Sequence, residues 1–269
     1  MRRLSALDAE LLAVRFRNMI HLPQDAPFHV KDVLEQLKII TVFRPLSENS
    51  YGFSVKVGRD WRFMMINCNS TLGRQHFTIA HELYHLFYDD NPVPHICSSE
   101  GKSPEEQSAD MFATSLLLPA SGLLAMLPED FPSTKQLDVL TLVKMEQKFK
   151  VSHQALVFRL KRLGIITEAD IQAYLQIPFR DMASRHGLDT SIYDKGNEGL
   201  IIGDYLSMAA DLFEKGRISE GHYNEIANLI NNAGSGSNSV GRRCHYPLLR
   251  RWIFASFTEC APRLFFCRA

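Results

Sequence analysis

The sequence predicts an α+β fold in which a small antiparallel three-stranded sheet packs on two helices and is followed by a helical region. Three short apolar or alternating runs lie at residues 39–43, 53–57 and 62–67, and Gly58-Arg59-Asp60 between the last two indicates a hairpin turn. Two longer segments, 74–90 and 104–118, have apolar residues at helical spacing. From residue 137 to residue 233 the patterns are helical.

Composition limits the class of protein. The chain has 269 residues, of which 45% are hydrophobic and 22% charged, as in an ordinary globular protein with a sizeable core. Its formal net charge is zero, which excludes the global basic field of a dedicated nucleic-acid binder. No apolar run approaches the roughly 20 residues that span a bilayer, and charges soon after the basic start argue against a signal peptide. We therefore expect no membrane span.

The cysteines indicate a reducing compartment. None of the five cysteines has CxxC spacing, and only Cys68 and Cys97 lie in the first half of the chain. We expect both to be free thiols and the protein to be cytoplasmic.

Residues 77–87 contain the sequence HELYH, an HExxH motif. Residues four apart lie on the same face of a helix, so His81 and His85 can present their imidazoles to one zinc ion. Glu82 lies beside them, where it can act as a general base on a water that the metal activates. The apolar residues of the flanking segment recur at helical spacing, and no Pro or Gly occurs from residue 74 to residue 90, so we predict a helix here. Two histidines on such a helix are costly to bury without partners, which a metal supplies.

A third ligand is expected on the second helix, residues 104–118. Ser103 has the features of an N-cap, Pro104 suits the first helical position, and Glu106 lies at the capping-box spacing from Ser103. Catalytic zinc commonly has three protein ligands and one open position, and two His with one Glu is an established set. Glu106 is therefore the predicted third ligand. The alternatives are that Glu106 only caps its helix, or that Glu105 binds the metal.

Asp110 lies one turn after Glu106 on the same helical face. From there its carboxylate can accept the outward N–H of a ligand histidine, which fixes the tautomer and the orientation of the ring. Glu105 and Asp110 are five residues apart and diverge around the helix, which favours Glu106 as the ligand. The alternative for Asp110 is an exposed polar residue.

Two motifs in this order and spacing resemble the ImmA/IrrE family of zinc metallopeptidases. The first is RQHFTIAHELYH at residues 74–85; the second is E-x-x-A-D-x-F-A at residues 106–113, followed by Leu116-Leu117-Leu118-Pro119. The likeness covers roughly residues 30–165. By position it implies the zinc ligands His81, His85 and Glu106 and the catalytic base Glu82.

The same resemblance implies limited proteolysis. Members are bacterial or phage-borne, and the characterised type cuts a helix-turn-helix repressor, which switches on a mobile element or a stress response. The architecture expected of such peptidases is a small antiparallel sheet beside the metal helix, and its edge strand can hold an extended substrate by backbone hydrogen bonds. We assign this role to residues 62–67; the alternative is a strand packed in the core.

The chain departs from the family at two positions. Tyr84 stands where the family often has Gly, and His76 stands where it often has Arg. Neither position is a ligand, so the metal prediction is unchanged. Tyr84 adds bulk beside the metal helix, and we expect it to narrow the cleft.

Residues 137–150 and 152–163 are predicted as two helices joined by a short turn, similar to a helix-turn-helix unit. The unit is locally basic, with Lys144, Lys148, Lys150, Arg159, Lys161 and Arg162. Contact with DNA or a substrate protein is one interpretation, but a helical subdomain that supports the cleft is favoured in a net-neutral chain. His153 is a candidate to stabilise the oxyanion of the transition state, although a histidine at a helix start is more often a capping or surface residue.

These patterns divide the chain into four parts. Residues 1–120 form the metallopeptidase core, which begins with helices at 5–20 and 30–37, and residues 121–165 form the helix-turn-helix-like subdomain. Residues 166–233 form a C-terminal helical region with helices at 203–215 and 219–232. Residues 234–269 begin with a Gly-Ser linker composition and are expected to be a flexible or poorly ordered tail.

The resulting hypothesis is a cytoplasmic zinc-dependent endopeptidase that makes limited cuts in a regulatory protein, expected to be a helix-turn-helix transcriptional repressor. The residues themselves support metal-assisted hydrolysis, above all of a peptide bond. Two other hypotheses stay open. One is a non-catalytic zinc-containing regulator that binds a repressor or DNA, and the other is a metal hydrolase acting on a non-peptide substrate.

Overall fold

The structure is a computed structural model that describes residues 3–47, 50–57, 61–89, 95–98, 103–134 and 136–234; of residues 57, 95–98 and 229–234 it describes the backbone alone. The predicted turn at 58–60, the side chain of Cys97 and the predicted tail from residue 235 lie outside this description. The helices are α1 Ala6–Met19, α2 Val30–Gln36, α3 Leu72–Tyr88, α4 Pro104–Leu117, α5 Ala120–Leu124, α6 Phe131–Thr134, α7 Val139–Phe149, α8 His153–Arg162, α9 Glu168–Leu175, α10 Phe179–Arg185, α11 Tyr205–Glu214 and α12 Glu220–Gly234. None of the helices in the described ranges combines the length and the apolarity needed to cross a bilayer.

The strands are β1 Ile40–Arg44, β2 Ser50–Val57, β3 Trp61–Asn67, β4 His95–Ser98 and β5 Ile201–Ile202. They form one sheet in the order β4-β2-β3-β1-β5. The main core lies on the face of this sheet where Met64 and Ile66 of β3 meet apolar side chains of α1, α3 and α4.

The predicted α+β class is confirmed, but the predicted three-stranded antiparallel sheet is wrong in two respects. The described sheet has five strands, and β1 pairs with β3 in parallel, with Thr41 beside Met64. The pairing of β2 with β3 is antiparallel, as predicted. Local turn chemistry fixes only this hairpin, whereas the neighbour of β1 is decided by tertiary packing. The strands β4 and β5 have four and two residues, too few for a clear alternating pattern.

Helix α3 packs on β2 and β3. The side chain of Thr71 caps its start by accepting a hydrogen bond from the backbone N–H of Arg74. The predicted apolar stripe is buried, at Ile79, Leu83 and Leu86. The sheet approaches the helix closely at Gly52, where a Cβ would lie 2.9 Å from Cγ2 of Thr78. Glycine at this position lets β2 lie directly against the helix that carries the HExxH motif.

Helix α4 begins as the sequence predicts. The Ser103 hydroxyl accepts a hydrogen bond from the backbone N–H of Glu106 at 3.3 Å, and Pro104 occupies the first helical position. The helix packs against both α1 and α3. This packing places the first turn of α4 beside the HExxH motif, which lies in the middle of α3.

Residues 190–202 return to the sheet and to α3. Strand β5 pairs antiparallel with β1, and the backbone N–H of Leu72 donates to the carbonyl of Asp194 at 2.8 Å. Gln75, which is fully buried, donates to the carbonyl of Gly196 at 3.0 Å and accepts from the side-chain amide of Asn197 at 2.9 Å. The predicted domain limits stay a prediction, but residues beyond the predicted limit at 165 contribute directly to the sheet.

Candidate metal centre

Three side chains converge between α3 and α4. The Nε2 atoms of His81 and His85 are 3.2 Å apart, and each lies 3.3 Å from a carboxylate oxygen of Glu106. All three residues are buried. The structure thus brings together the three predicted ligands, which we name the metal cluster; within the described residues it is the group of His, Cys, Asp and Glu donors that could hold a metal ion.

The spacing of the donor atoms fits a tetrahedral ion. Bonds of about 2.0–2.1 Å at tetrahedral angles place neighbouring ligand atoms about 3.3–3.4 Å apart. The separations of 3.2 and 3.3 Å in the metal cluster agree with this value. Two imidazoles with one carboxylate form a donor set of the kind that zinc accepts, with a fourth position left for water or substrate.

The outward nitrogens of both histidines contact carboxylates. Nδ1 of His81 lies 2.9 Å from Oδ1 of Asp110, as the sequence predicts, and Nδ1 of His85 lies 2.9 Å from Oδ2 of Asp89. A carboxylate accepts, so each Nδ1 carries the hydrogen, which leaves both Nε2 lone pairs facing the centre. Sequence reasoning missed Asp89, although it lies four residues after His85, at the spacing that links His81 to His85.

The electrostatics of the site call for a cation. Burial lowers the pKa of His81, but hydrogen bonds to Asp110 and Glu106 and the charge of Glu82 outweigh this effect and raise the pKa to about 9. Without a metal, a proton on His81 therefore supplies the positive charge that the surrounding carboxylates require. A bound dication would supply the same charge and displace that proton.

Glu82 is a buried carboxylate next to the metal cluster. It is fully buried, and within the described part of the chain neither of its oxygens has a hydrogen-bond partner. Burying a carboxylate unpaired costs several kcal/mol, so such groups are rare unless they serve a function. The position of Glu82 beside His81 fits a general base whose partner is a water molecule held in the cluster.

The geometry favours Glu106 as a metal ligand over the two alternatives. Its backbone N–H serves the helix cap, while its carboxylate lies 3.3 Å from both histidines. Glu105 lies in the same turn but does not belong to the group of donors that could hold the ion. Asp110 is not a freely exposed residue, since it contacts His81.

Tyr84 and His76, the two departures from the family pattern, both contact other parts of the fold. Tyr84 is 3% exposed and packs in an aromatic group with Tyr88 and Phe112. The expectation that Tyr84 narrows the cleft is therefore wrong, because the side chain points into the core. His76 donates from Nδ1 to the carbonyl of Lys150 at 2.8 Å, and burial lowers its pKa. It joins α3 to the end of α7 as a neutral side chain.

His153 lies in a different cluster. Its Nδ1 is 2.7 Å from Oε1 of Glu146, and its Nε2 is 2.7 Å from the carbonyl of Tyr174. The second oxygen of Glu146 accepts from the hydroxyl of Tyr193 at 2.6 Å. We name Glu146, His153 and Tyr193 the Glu146 cluster. Both ring nitrogens of His153 are used within it, so the structure gives no support to the prediction that His153 stabilises an oxyanion.

Helices α7 and α8 are joined by a short turn, as predicted. Lys150 ends α7 in a left-handed conformation with φ 54°, and Ser152 caps α8. In a DNA-binding unit the first turn of the second helix meets the bases. Here the first residue of that turn is covered, because the ring of Phe179 stacks on His153 with 3.5 Å between ring centroids. This cover favours the interpretation as a supporting subdomain; DNA contact stays a less favoured prediction.

The predicted substrate strand is not at an edge. Residues 62–67 belong to β3, which is paired with β2 on one side and with β1 on the other. Its backbone groups are used in the sheet, so the assignment of β3 as the strand that holds an extended substrate is wrong. Residues 62–67 were expected at the edge because the sequence predicts neither β4 nor the parallel pairing of β1 with β3.

An α+β domain with an HExxH helix, a glutamate from the next long helix and a buried acid beside the metal cluster defines a protein of the metallopeptidase type. Residues 34–161 match the family model of the IrrE N-terminal-like domain, Peptidase_M78. This domain belongs to that family, and the predicted resemblance to the ImmA/IrrE peptidases is confirmed. No curated protein matches the chain.

Proposed function

We propose that the protein is a zinc-dependent endopeptidase that acts in the cytoplasm and makes limited cuts in a regulatory protein. The observation that carries the proposal is a buried carboxylate, Glu82, beside three donors at zinc-like spacing. A purely structural zinc site needs no such base, whereas hydrolysis does. The buried free thiol of Cys68 agrees with a reducing compartment.

The chain's own groups have separate tasks in this reaction. His81, His85 and Glu106 would hold zinc, which when bound supplies a Lewis acid that polarises the scissile carbonyl and activates water. Glu82 takes the proton of the attacking water and passes it to the nitrogen of the leaving amine. Asp110 keeps the His81 ring turned so that Nε2 faces the cluster.

The proposed substrate is a helix-turn-helix repressor, as the family resemblance implies. Burial of the site supports selective rather than general cleavage. His81, His85 and Glu106 are each at most 7% exposed, which disfavours direct contact with the flat surface of a folded protein. An extended segment of a partner protein is the form of substrate that fits such a site.

Glu82→Gln tests the catalytic part of the proposal. Glutamine has nearly the same shape but cannot accept the proton, so we expect cleavage to fall by about 10²–10⁴-fold while zinc stays bound. Cleavage is measured by mass spectrometry on helix-turn-helix proteins that neighbouring genes encode and on an unfolded peptide library, and zinc by elemental analysis. Glu105→Gln, which changes the neighbouring acid in α4, is the matched control and should cleave as the wild type does.

Two outcomes would contradict the proposal. A Glu82→Gln variant that cuts at the wild-type rate would remove Glu82 from the mechanism. A wild-type protein that contains zinc and binds the repressor or DNA, but cuts neither that protein nor an unfolded peptide library, would support the non-catalytic regulator instead.

A further inference from the structure

The two ligand histidines donate their outer hydrogen bonds to carboxylates on different elements. Asp110, which contacts His81, lies inside α4 and belongs to the helix that also carries Glu106. Asp89, which contacts His85, is the C-cap of α3, with φ −90° and ψ 124°. The side chain of Asp89 is 9% exposed and that of Asp110 is 22% exposed. The less exposed carboxylate is therefore the one at the helix end.

Helix capping does not explain a carboxylate at this position. The last carbonyl groups of a helix carry partial negative charge, so an anionic side chain there is unfavourable, and a neutral or basic residue is preferred. Asp89 nevertheless lies in the position nearest this charge, with Oδ2 turned back to Nδ1 of His85 at 2.9 Å. The contact with His85 is an interaction that offsets part of this cost.

We propose that Asp89 is a positioning residue for metal binding, acting through His85. The inference rests on the proposed zinc site and adds to it a residue that neither the HExxH motif nor the second motif contains. By accepting the Nδ1 hydrogen, Asp89 holds the tautomer of His85 in which the Nε2 lone pair faces Glu106 and His81. The same hydrogen bond fixes the rotation of the ring. This matters because His85 is in the last turn of α3, and the ends of helices fray.

The arrangement gives each imidazole its own carboxylate. Such outer carboxylates increase the basicity of a ligand histidine, and their loss typically weakens metal binding by 10–100-fold. We expect Asp89→Asn to weaken zinc binding by about this factor, because the amide can also present its N–H₂ to Nδ1 and so favour the wrong tautomer. Asp89→Glu should recover part of the affinity, since a carboxylate is restored at a changed distance.

The experiment measures zinc affinity of the purified full chain by competition with a chromogenic chelator. Wild type is compared with Asp89→Asn, Asp89→Glu and Asp110→Asn, and with Asp211→Asn, which removes an exposed carboxylate on α11 that pairs with Lys215. The absorption spectrum of the cobalt-loaded protein reports the ligand geometry, and thermal unfolding of the metal-free protein reports the fold. We expect the two variants that remove an outer carboxylate to weaken zinc binding 10–100-fold and to change the cobalt spectrum. Asp211→Asn should do neither.

The outcomes separate this inference from the proposed function. If wild type itself fails to bind zinc, the proposed function fails. If wild type and Asp211→Asn bind zinc and Asp89→Asn binds it within threefold of wild type, the role of Asp89 is refuted and the zinc site stands. A variant that unfolds more easily without metal, yet keeps the wild-type zinc affinity and cobalt spectrum, would show that Asp89 only stabilises the end of α3.

Discussion

The metal cluster on α3 and α4 and the Glu146 cluster on α7 and α8 are built from the same chemical groups. In both, a carboxylate lies 2.7–2.9 Å from Nδ1 of a histidine. They differ at the other nitrogen. Nε2 of His153 donates to the carbonyl of Tyr174, whereas Nε2 of His81 and Nε2 of His85 face each other at 3.2 Å.

This difference shows how a ligand histidine can be told from a structural one. In the Glu146 cluster the protein itself satisfies both ring nitrogens, so the histidine joins helices and has no capacity left for a ligand. In the metal cluster the two Nε2 atoms face each other and the carboxylate of Glu106, an arrangement that requires a cation, either a proton on His81 or a bound metal. The presence of a histidine–carboxylate pair is thus less informative than the environment of the second nitrogen.

The largest expected effect is on zinc content, which should fall when His85 is replaced but not when His153 is replaced. His85→Ala removes one of three donors, so we expect loss of stoichiometric zinc, a larger change than the 10–100-fold loss that follows from removing an outer carboxylate. His153→Ala should keep one zinc per chain but lower the free energy of unfolding by about 2–4 kcal/mol, because Glu146 loses a buried partner. Elemental analysis and urea unfolding measure the two quantities. Zinc loss in His153→Ala, with the fold intact, would break the comparison.

The free energy of unfolding of the metal-free protein should depend on pH, because the metal cluster requires a positive charge. The pKa of His81 is raised from 6.5 to about 9, so its protonated form stabilises the fold fully below pH 6.5, and this stability is lost as the pH rises through about 9. The change is on the order of 3 kcal/mol. Urea unfolding after removal of metal, at the two ends of this range, measures it. The loss should be absent from His81→Gln, and an equal loss in that variant would assign it to other groups.

A smaller effect is expected at Glu146. Burial raises its pKa, outweighing the hydrogen bonds from His153 and Tyr193, so the carboxylate form is disfavoured in the fold. A raised pKa means that the contribution of Glu146 is greatest at low pH and is lost as the pH rises through the folded pKa. Glu146→Gln keeps an acceptor for Tyr193 and offers an amide group to Nδ1 of His153. We expect its unfolding free energy at neutral pH to lie within about 1 kcal/mol of wild type.

Glu146→Ala is the matched contrast, because it leaves both partners without this side chain and should cost about 2–4 kcal/mol. Chemical denaturation at neutral pH measures both variants. If the glutamine variant were as unstable as the alanine variant, the carboxylate charge itself would be needed, and the Glu146 cluster would be an ion pair rather than a hydrogen-bonded joint.

The part of the metal cluster that sequence could predict is the part that local geometry determines. The helical repeat places His81 and His85 on one face, and the cap signals of Ser103 and Pro104 place Glu106 in the first turn of α4. The distances between them depend on how α3 packs on α4, which a local pattern does not contain. Asp89 follows the same helical repeat, but a carboxylate at the C-cap of a helix carries no local signal of a contact with His85.

Other features were decided by tertiary packing. The rotation of α3 about its axis sends Tyr84 toward Phe112 rather than toward the cleft, and a sequence without an alignment gives no sign of that choice. Strand β3 lies between β1 and β2, so its hydrogen-bonding groups are used on both sides. His153 occupies the N-terminal turn that the sequence predicts, yet its partners Tyr174 and Glu146 lie 21 and 7 residues away in the chain.

The return of residues 190–202 to the sheet has a practical consequence for dissecting the molecule. The family match ends at residue 161, but a polypeptide truncated there would lack β5 and expose the unpaired edge of β1. It would also strip the buried amide of Gln75 of its contacts with Gly196 and Asn197. Open strand edges promote association with other chains. The smallest fragment suited to expression as a monomer therefore extends at least to residue 202.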